Sequence, residues 1–142
     1  MIDSPAGIER GFYNAIRSAD EAIVVVTLDI SSIRDADKVI GILNSNNIQD
    51  VKLIINRVNM KHIEEGISLS MSDAVDVLGI GVLGVVYFDE SISQGNNKGL
   101  PVCHDNKSIA SKCFNNISKR INGETVELMK YRKRSFLQKL FQ

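Results

Sequence analysis

Between Ala22 and Thr27 the chain reads Ala-Ile-Val-Val-Val-Thr, apolar and largely β-branched with no polar alternation. Such a run fits a strand buried on both faces, and strands of that kind belong to parallel sheets covered by helices. Val51-Lys52-Leu53-Ile54-Ile55 reads as the next strand and Val82–Tyr87 as a third buried one. The intervening segments carry helical periodicity instead. Ile8, Phe12, Ala15 and Ile16 form one stripe over 7–18, and Ile33, Ala36, Ile40 and Leu43 form a second. Ser31 and Ser32 offer N-caps to that second helix, with Asp35 in capping-box position relative to Ser32. Met71, Ala74, Val75 and Leu78 form a third stripe, closed by Gly79 as a C-cap. Residues 58–70 are mostly polar, and 89–99 read as a loop or short helix broken by Gly95 and Gly99. A last helix is expected over 107–121, with Ala110, Phe114, Ile117 and Ile121 inward and Gly123 as its stop. Strands alternating with helices through crossovers of this length predict an α/β, doubly wound, mostly parallel sheet.

The 142 residues suffice for one domain with a real core, and 44% apolar with 24% charged residues excludes wholesale disorder. Net charge is zero but unevenly distributed: Lys130, Arg132, Lys133, Arg134 and Lys139 stand in a C-terminal segment without an acid. That asymmetry points to a tail with an anionic partner of its own. Cys103 and Cys113 make no C-x-x-C pattern, and His104 beside Cys103 has no further ligand at metal-site spacing. The default reading is buried, reduced thiols in a cytosolic compartment. No apolar run approaches the roughly 20 residues of a membrane span, and no basic-then-apolar N-terminal segment suggests a secretory signal.

Three groups of residues invite a chemical reading. Asp3-Ser4-Pro5-Ala6-Gly7 puts an acid at the head of a Pro/Gly turn that enters a helix. Doubly wound folds place chemistry at such points, and an Asp there can hold a magnesium-bound water. The same residues also suit an Asx turn capping the next helix. Asn56-Arg57 ends the second strand, where an Asn amide can serve a purine edge with its donor and acceptor or simply cap a loop. In the tail, a helical reading gathers Phe136, Leu137, Leu140 and Phe141 within ~140°. Arg134 and Lys139 lie at the margin or opposite, and Lys133 would have to snorkel from the apolar side. The alternatives are a helix docked on the protein's own surface or nucleic-acid binding; Tyr131 alone would be available there to stack on bases.

Asp3-Ser4-Pro5-Ala6-Gly7-Ile8-Glu9, Ala19-Asp20-Glu21-Ala22-Ile23 and Ser31-Ser32-Ile33-Arg34-Asp35-Ala36-Asp37 together resemble the septum-site-determining MinD family. That family belongs to the deviant Walker-A ATPases, and the resemblance runs from Ile2 to Phe141. No G-x-x-x-x-G-K-[ST] motif or variant of it occurs in the 142 residues. The chain therefore reads as the C-terminal part of a MinD-like ATPase domain over 1–123, followed by a linker and membrane-targeting segment over 124–142. With few strands, that part should show an unpaired sheet edge and uncovered apolar surface.

The resemblance implies roles residue by residue. Asp3, Pro5 and Gly7 correspond to switch II, with Asp3 meeting the metal through water. Asn56 and Arg57 correspond to the pair that meets adenine. Val86, Tyr87 and Asp89 fall in the stretch that lines the base pocket, with Tyr87 in place of a proline and Phe88 in place of an acid. Arg34, Asp35 and Asp37 lie in the region that meets MinC and MinE, although a merely solvated helix face would look the same. Lys133 through Phe141 correspond to the membrane-targeting helix. ATP, Mg²⁺, a homodimer, an anionic membrane and no nucleic acid are the implied partners. The implied location is cytoplasmic or plastid-stromal, peripheral on a membrane. The function implied is septum placement by a peripheral ATPase, with no catalysis by these residues alone. The alternative is a non-catalytic membrane-binding module or gene remnant.

Overall fold

Three strands, β1 (Glu21–Val26), β2 (Asp50–Val58) and β3 (Gly81–Tyr87), pair in parallel in the order β1-β2-β3. The computed structural model describes residues 1–5 and 7–131. Around the sheet lie α1 (Arg10–Ile16), α2 (Ile30–Ser45), α3 (Met60–Glu64), α4 (Met71–Leu78), α5 (Glu90–Asn97) and α6 (Ile109–Ile121), with a 3-10 turn at Val102–His104.

Register explains the core. Val24 pairs with Leu53 and Val26 with Ile55, so one face of the sheet presents an unbroken apolar row. Leu53 and Ile55 are wholly buried. The stripe Ile33, Ala36, Ile40 and Leu43 of α2 is buried as the periodicity requires, with α2 packed on both β1 and α4. The opposite face carries the row Val25–Ile54–Gly84. Here α6 lies on β3 so closely that a Cβ on Gly84 would stand 2.3 Å from Ile117 Cγ1. Helices thus cover both faces, as in a doubly wound fold. On the second face the cover ends at β1: Ile23 is 39% and Val25 56% exposed on a strand with one free edge. Gly84→Ala is expected to lower stability by about 1–3 kcal/mol, because buried Ile117 cannot give way without disturbing α6. A chemical denaturation midpoint measures it.

Several local expectations are corrected. The N-cap of α2 is Asp29, not Ser31 or Ser32; its Oδ1 accepts from Ser32 N at 2.9 Å. Ser32 Oγ turns back to accept from Thr27 N at 3.0 Å, and Asp35 pairs with Lys38 instead of closing a box. A capping box does form at α4, between Ser70 and Asp73, and Gly79 ends that helix at φ 63°. On α6 the buried stripe is Ala110, Cys113 and Ile117, spaced by three and four; Phe114 and Ile121 are exposed. Ile8 also stays outside, since α1 begins only at Arg10. β2 extends three residues beyond Ile55, so Asn56 and Arg57 lie within its irregular last turn of register rather than after it. The polar stretch after it contains α3, and Gly95 sits inside α5, where a Cβ would meet Leu100 O at 2.6 Å.

Candidate functional site

In a parallel sheet the loops leaving the carboxyl ends of the strands define the crevice available to ligands. Here those loops enclose a cleft of about 320 Å³. From the end of β1 come Thr27, Leu28 and Asp29; from the end of β2 and α3 come Arg57, Asn59 and His62; Ser68 and Phe88 complete it. Leu69 N donates to Leu28 O at 3.1 Å, tying the α3–α4 loop to the β1–α2 turn. Asp29 accepts from the Thr27 hydroxyl and from the Ser32 amide, which together hold its carboxyl below the usual range.

Arg57 is held in an uncommon backbone conformation. Its φ is 55°, left-handed, and its amide donates to Asn56 Oδ1 at 2.9 Å. This local turn breaks the β2–β3 register between Ile55 and Val58 and brings Arg57 to the cleft wall. The Asn56 carboxamide oxygen is thereby used on the backbone. Asn59 caps α3 by accepting from Lys61 N at 3.0 Å. Phe88 follows β3, anchored by its amide to Val58 O at 2.9 Å, with its ring 48% exposed.

Val86, Tyr87 and Asp89 do not line this cleft. Val86 is buried in the core, and Tyr87 is buried with its hydroxyl donating to Met129 O at 2.9 Å. Asp89 has a structural task at two helices. Its Oδ1 accepts from Ser91 N at 2.9 Å, capping α5. Its Oδ2 accepts from Ser108 Oγ at 2.7 Å and Ala110 N at 3.2 Å at the start of α6. Ser108 in turn caps α6 through Ser111 N at 3.1 Å. Partial burial pushes the Asp89 carboxyl up, but the hydrogen bonds from Ser108, Ser91 and Ala110 prevail and lower it from 3.8 to about 2.

Asp3 and Pro5 are exposed at the N-terminus, with Gly7 at φ 88°, and none of them lines the cleft. Arg34, Asp35 and Asp37 are exposed along α2; the solvated Asp35–Lys38 pair at 3.3 Å contributes little and leaves this face available. Lys133, Arg134, Phe136, Leu137, Lys139, Leu140 and Phe141 lie outside the described residues. Thr27, Asp29, Asn59, His62 and Ser68 escaped sequence reasoning. Thr27, Asp29 and Asn59 carried a positional signal, at or just behind the ends of β1 and β2; His62 and Ser68 carried none. Among the described residues no helix is long and apolar enough to cross a membrane, and no three His, Cys, Asp or Glu side chains converge as a metal site.

No family model matches the chain. Curated relatives named MinD are 37–47% identical to it over about nine-tenths of its length. The Bacillus subtilis septum site-determining protein MinD is 42% identical over 129 residues, 90% of this chain and 48% of that protein. The chain is homologous to MinD. Its fold agrees: MinD in the Aquifex aeolicus MinC:MinD complex superposes with a TM-score of 0.86 at 39% identity, covering 92% of this chain and 54% of that one. Pyrococcus horikoshii MinD, solved with Mg-ADP, gives 0.72 at 25% identity, covering 84% and 48%. This MinD homologue thus spans about half the length of the curated relatives it matches.

Proposed function

We propose that these residues form the base-binding and partner-binding portion of a MinD-type ATPase acting in division-site placement. The observation that carries the reading is the cleft at the carboxyl edge of the sheet, in a chain homologous to septum site-determining proteins. Its chemistry suits a purine. Phe88 offers a half-exposed ring for stacking, and the Thr27 hydroxyl, the Asn59 amide, His62 and Arg57 supply polar contacts around it. A volume of about 320 Å³ lies at the lower end of the range of small-molecule sites.

ATP is the nucleotide and Mg²⁺ the metal of this reading. Phosphoryl transfer depends on a backbone cradle and a lysine around the phosphates. The 142 residues contain no such loop, so turnover requires one supplied by a longer chain or a second polypeptide. Asp3 would then stand at switch II, with Pro5 and Gly7 shaping its turn. The exposed Arg34, Asp35 and Asp37 of α2 are the proposed contacts for MinC- and MinE-like proteins, and residues 132–142 the proposed attachment to an anionic membrane. The proposed location is the membrane periphery in cytoplasm or plastid stroma.

The test joins this chain to the phosphate-loop half of a MinD relative. The hybrid is expected to hydrolyse ATP, and the 142 residues alone are not. Arg57→Ala in the hybrid should raise KM for ATP about tenfold, a loss of ~1.4 kcal/mol, with a smaller change in kcat. An unchanged KM in the Arg57 and Phe88→Ala variants would remove the cleft from nucleotide binding.

A further inference from the structure

Beyond α6 the chain reverses at Gly123, where φ is 84° and Glu124 N donates to Lys119 O at 3.0 Å. It then runs along β3 without forming a ladder. The Arg120 guanidinium bridges strand and segment: Nη1 donates to Leu83 O at 2.9 Å, Nε to Val126 O at 2.8 Å and Nη2 to Glu127 O at 2.6 Å. Leu83 falls at the register shift between Leu53 and Ile54 and has no partner in the sheet, so its carbonyl is available to this fork. Further along, Tyr87 donates to Met129 O at 2.9 Å, and its ring packs on Tyr131 with centroids 5.2 Å apart. Met129 packs against the core.

The order of contacts gives the direction. Val126 and Glu127 are fastened level with Leu83, and Met129 and Tyr131 level with Tyr87. The segment therefore travels parallel to β3 toward its carboxyl end and reaches Tyr131 beside the residue that precedes Phe88 of the cleft. We propose that residues 124–131 are a strap latched by Arg120 and Tyr87, which holds Tyr131 at the end of the sheet that carries the cleft. Tyr87 and Arg120 are positioning residues. This reading is independent of what the cleft binds and of what the tail touches.

An arginine fork over three carbonyls cannot be replaced by a lysine, which offers a point charge without the planar geometry. Tyr87→Phe removes the hydroxyl and keeps the buried ring. Glutamyl endopeptidase cleavage after Glu127 requires the strap to leave the surface, so its rate follows the open population when opening is fast. In the full chain, Arg120→Lys is expected to accelerate that cleavage about tenfold or more and Tyr87→Phe about fivefold, with thermal melts still cooperative. Unchanged cleavage in both variants overturns the latch. A nitroxide on Lys130→Cys, in a Cys103→Ser background, reads where the strap ends even where a variant fails to fold. It should broaden the amide signals of Tyr87 and Phe88 in the otherwise unaltered chain; no broadening there overturns the proposal.

Discussion

Fusing the chain to a constitutive dimer is expected to raise its apparent affinity for anionic vesicles by ~10²–10⁴ over the monomer. The reason lies in the near balance of terms for one tail. Phe136, Leu137, Leu140 and Phe141 would each gain at most roughly 1.5–3 kcal/mol if fully removed from water, and shallow insertion realises a fraction of that. Each basic neighbour adds about 1 kcal/mol at an anionic surface. Ordering about ten residues costs ~1–2 kcal/mol apiece for the backbone alone. One tail should therefore come on and off readily, whereas the second insertion of a linked pair is intramolecular. Vesicle sedimentation of monomer, dimer fusion and a Phe136→Glu/Leu140→Glu variant measures this. Equal binding by monomer and dimer, or no loss with the two glutamates, sinks the mechanism.

Asp89→Ala is expected to destabilise the fold by about 2–4 kcal/mol, lowering the melting temperature by roughly 10 °C. One carboxylate serves the starts of both α5 and α6, so its removal strips a cap from one helix and the Ser108 anchor from the other. Ser108 is buried and would lose its acceptor within a site that admits little water. The pH dependence follows from the same bonds. The folded carboxyl titrates at about 2 against an ordinary 3.8, so the folded state binds its proton less tightly than the unfolded chain. Its contribution is complete above about pH 4 and declines as pH falls toward 2. Asp89→Asn should weaken the fold at neutral pH and flatten the acid limb of stability between pH 4 and 2. Urea titrations at fixed pH compare the two proteins directly, and parallel acid limbs would show that Asp89 does not carry this linkage.

Asp89 also shows how differently adjacent residues at one strand end are employed. Asp89 caps two helices, Val86 lies in the core and the Tyr87 hydroxyl donates to Met129 O. Phe88, between them in sequence, is the one that reaches the cleft. Neighbouring residues at a strand end point different ways, so a motif locates the loop without settling which of its side chains meets a ligand.

What the sequence determined by itself is the set of elements and the parallel sheet. Apolar-rich runs at 22–27, 51–55 and 82–87 mark the three strands, and the α2 and α4 stripes carry the helical period. Burial on both faces, which the run at 22–27 led one to expect, is not reached at β1, where Ile23 and Val25 stay exposed. The Gly79 stop was equally legible, because a left-handed C-cap is a local requirement. What only the tertiary structure decided depends on contacts between distant segments. That Cys113 rather than Phe114 faces inward on α6, and that the helix approaches β3 closely at Gly84, emerges only in the packed structure. The left-handed turn at Arg57, the assembly of the cleft from three strand ends and the latch of Arg120 on Leu83 have no periodic signature. Periodicity records which face of an element is apolar; which atoms meet across elements is decided by packing, and the candidate site consists of such meetings.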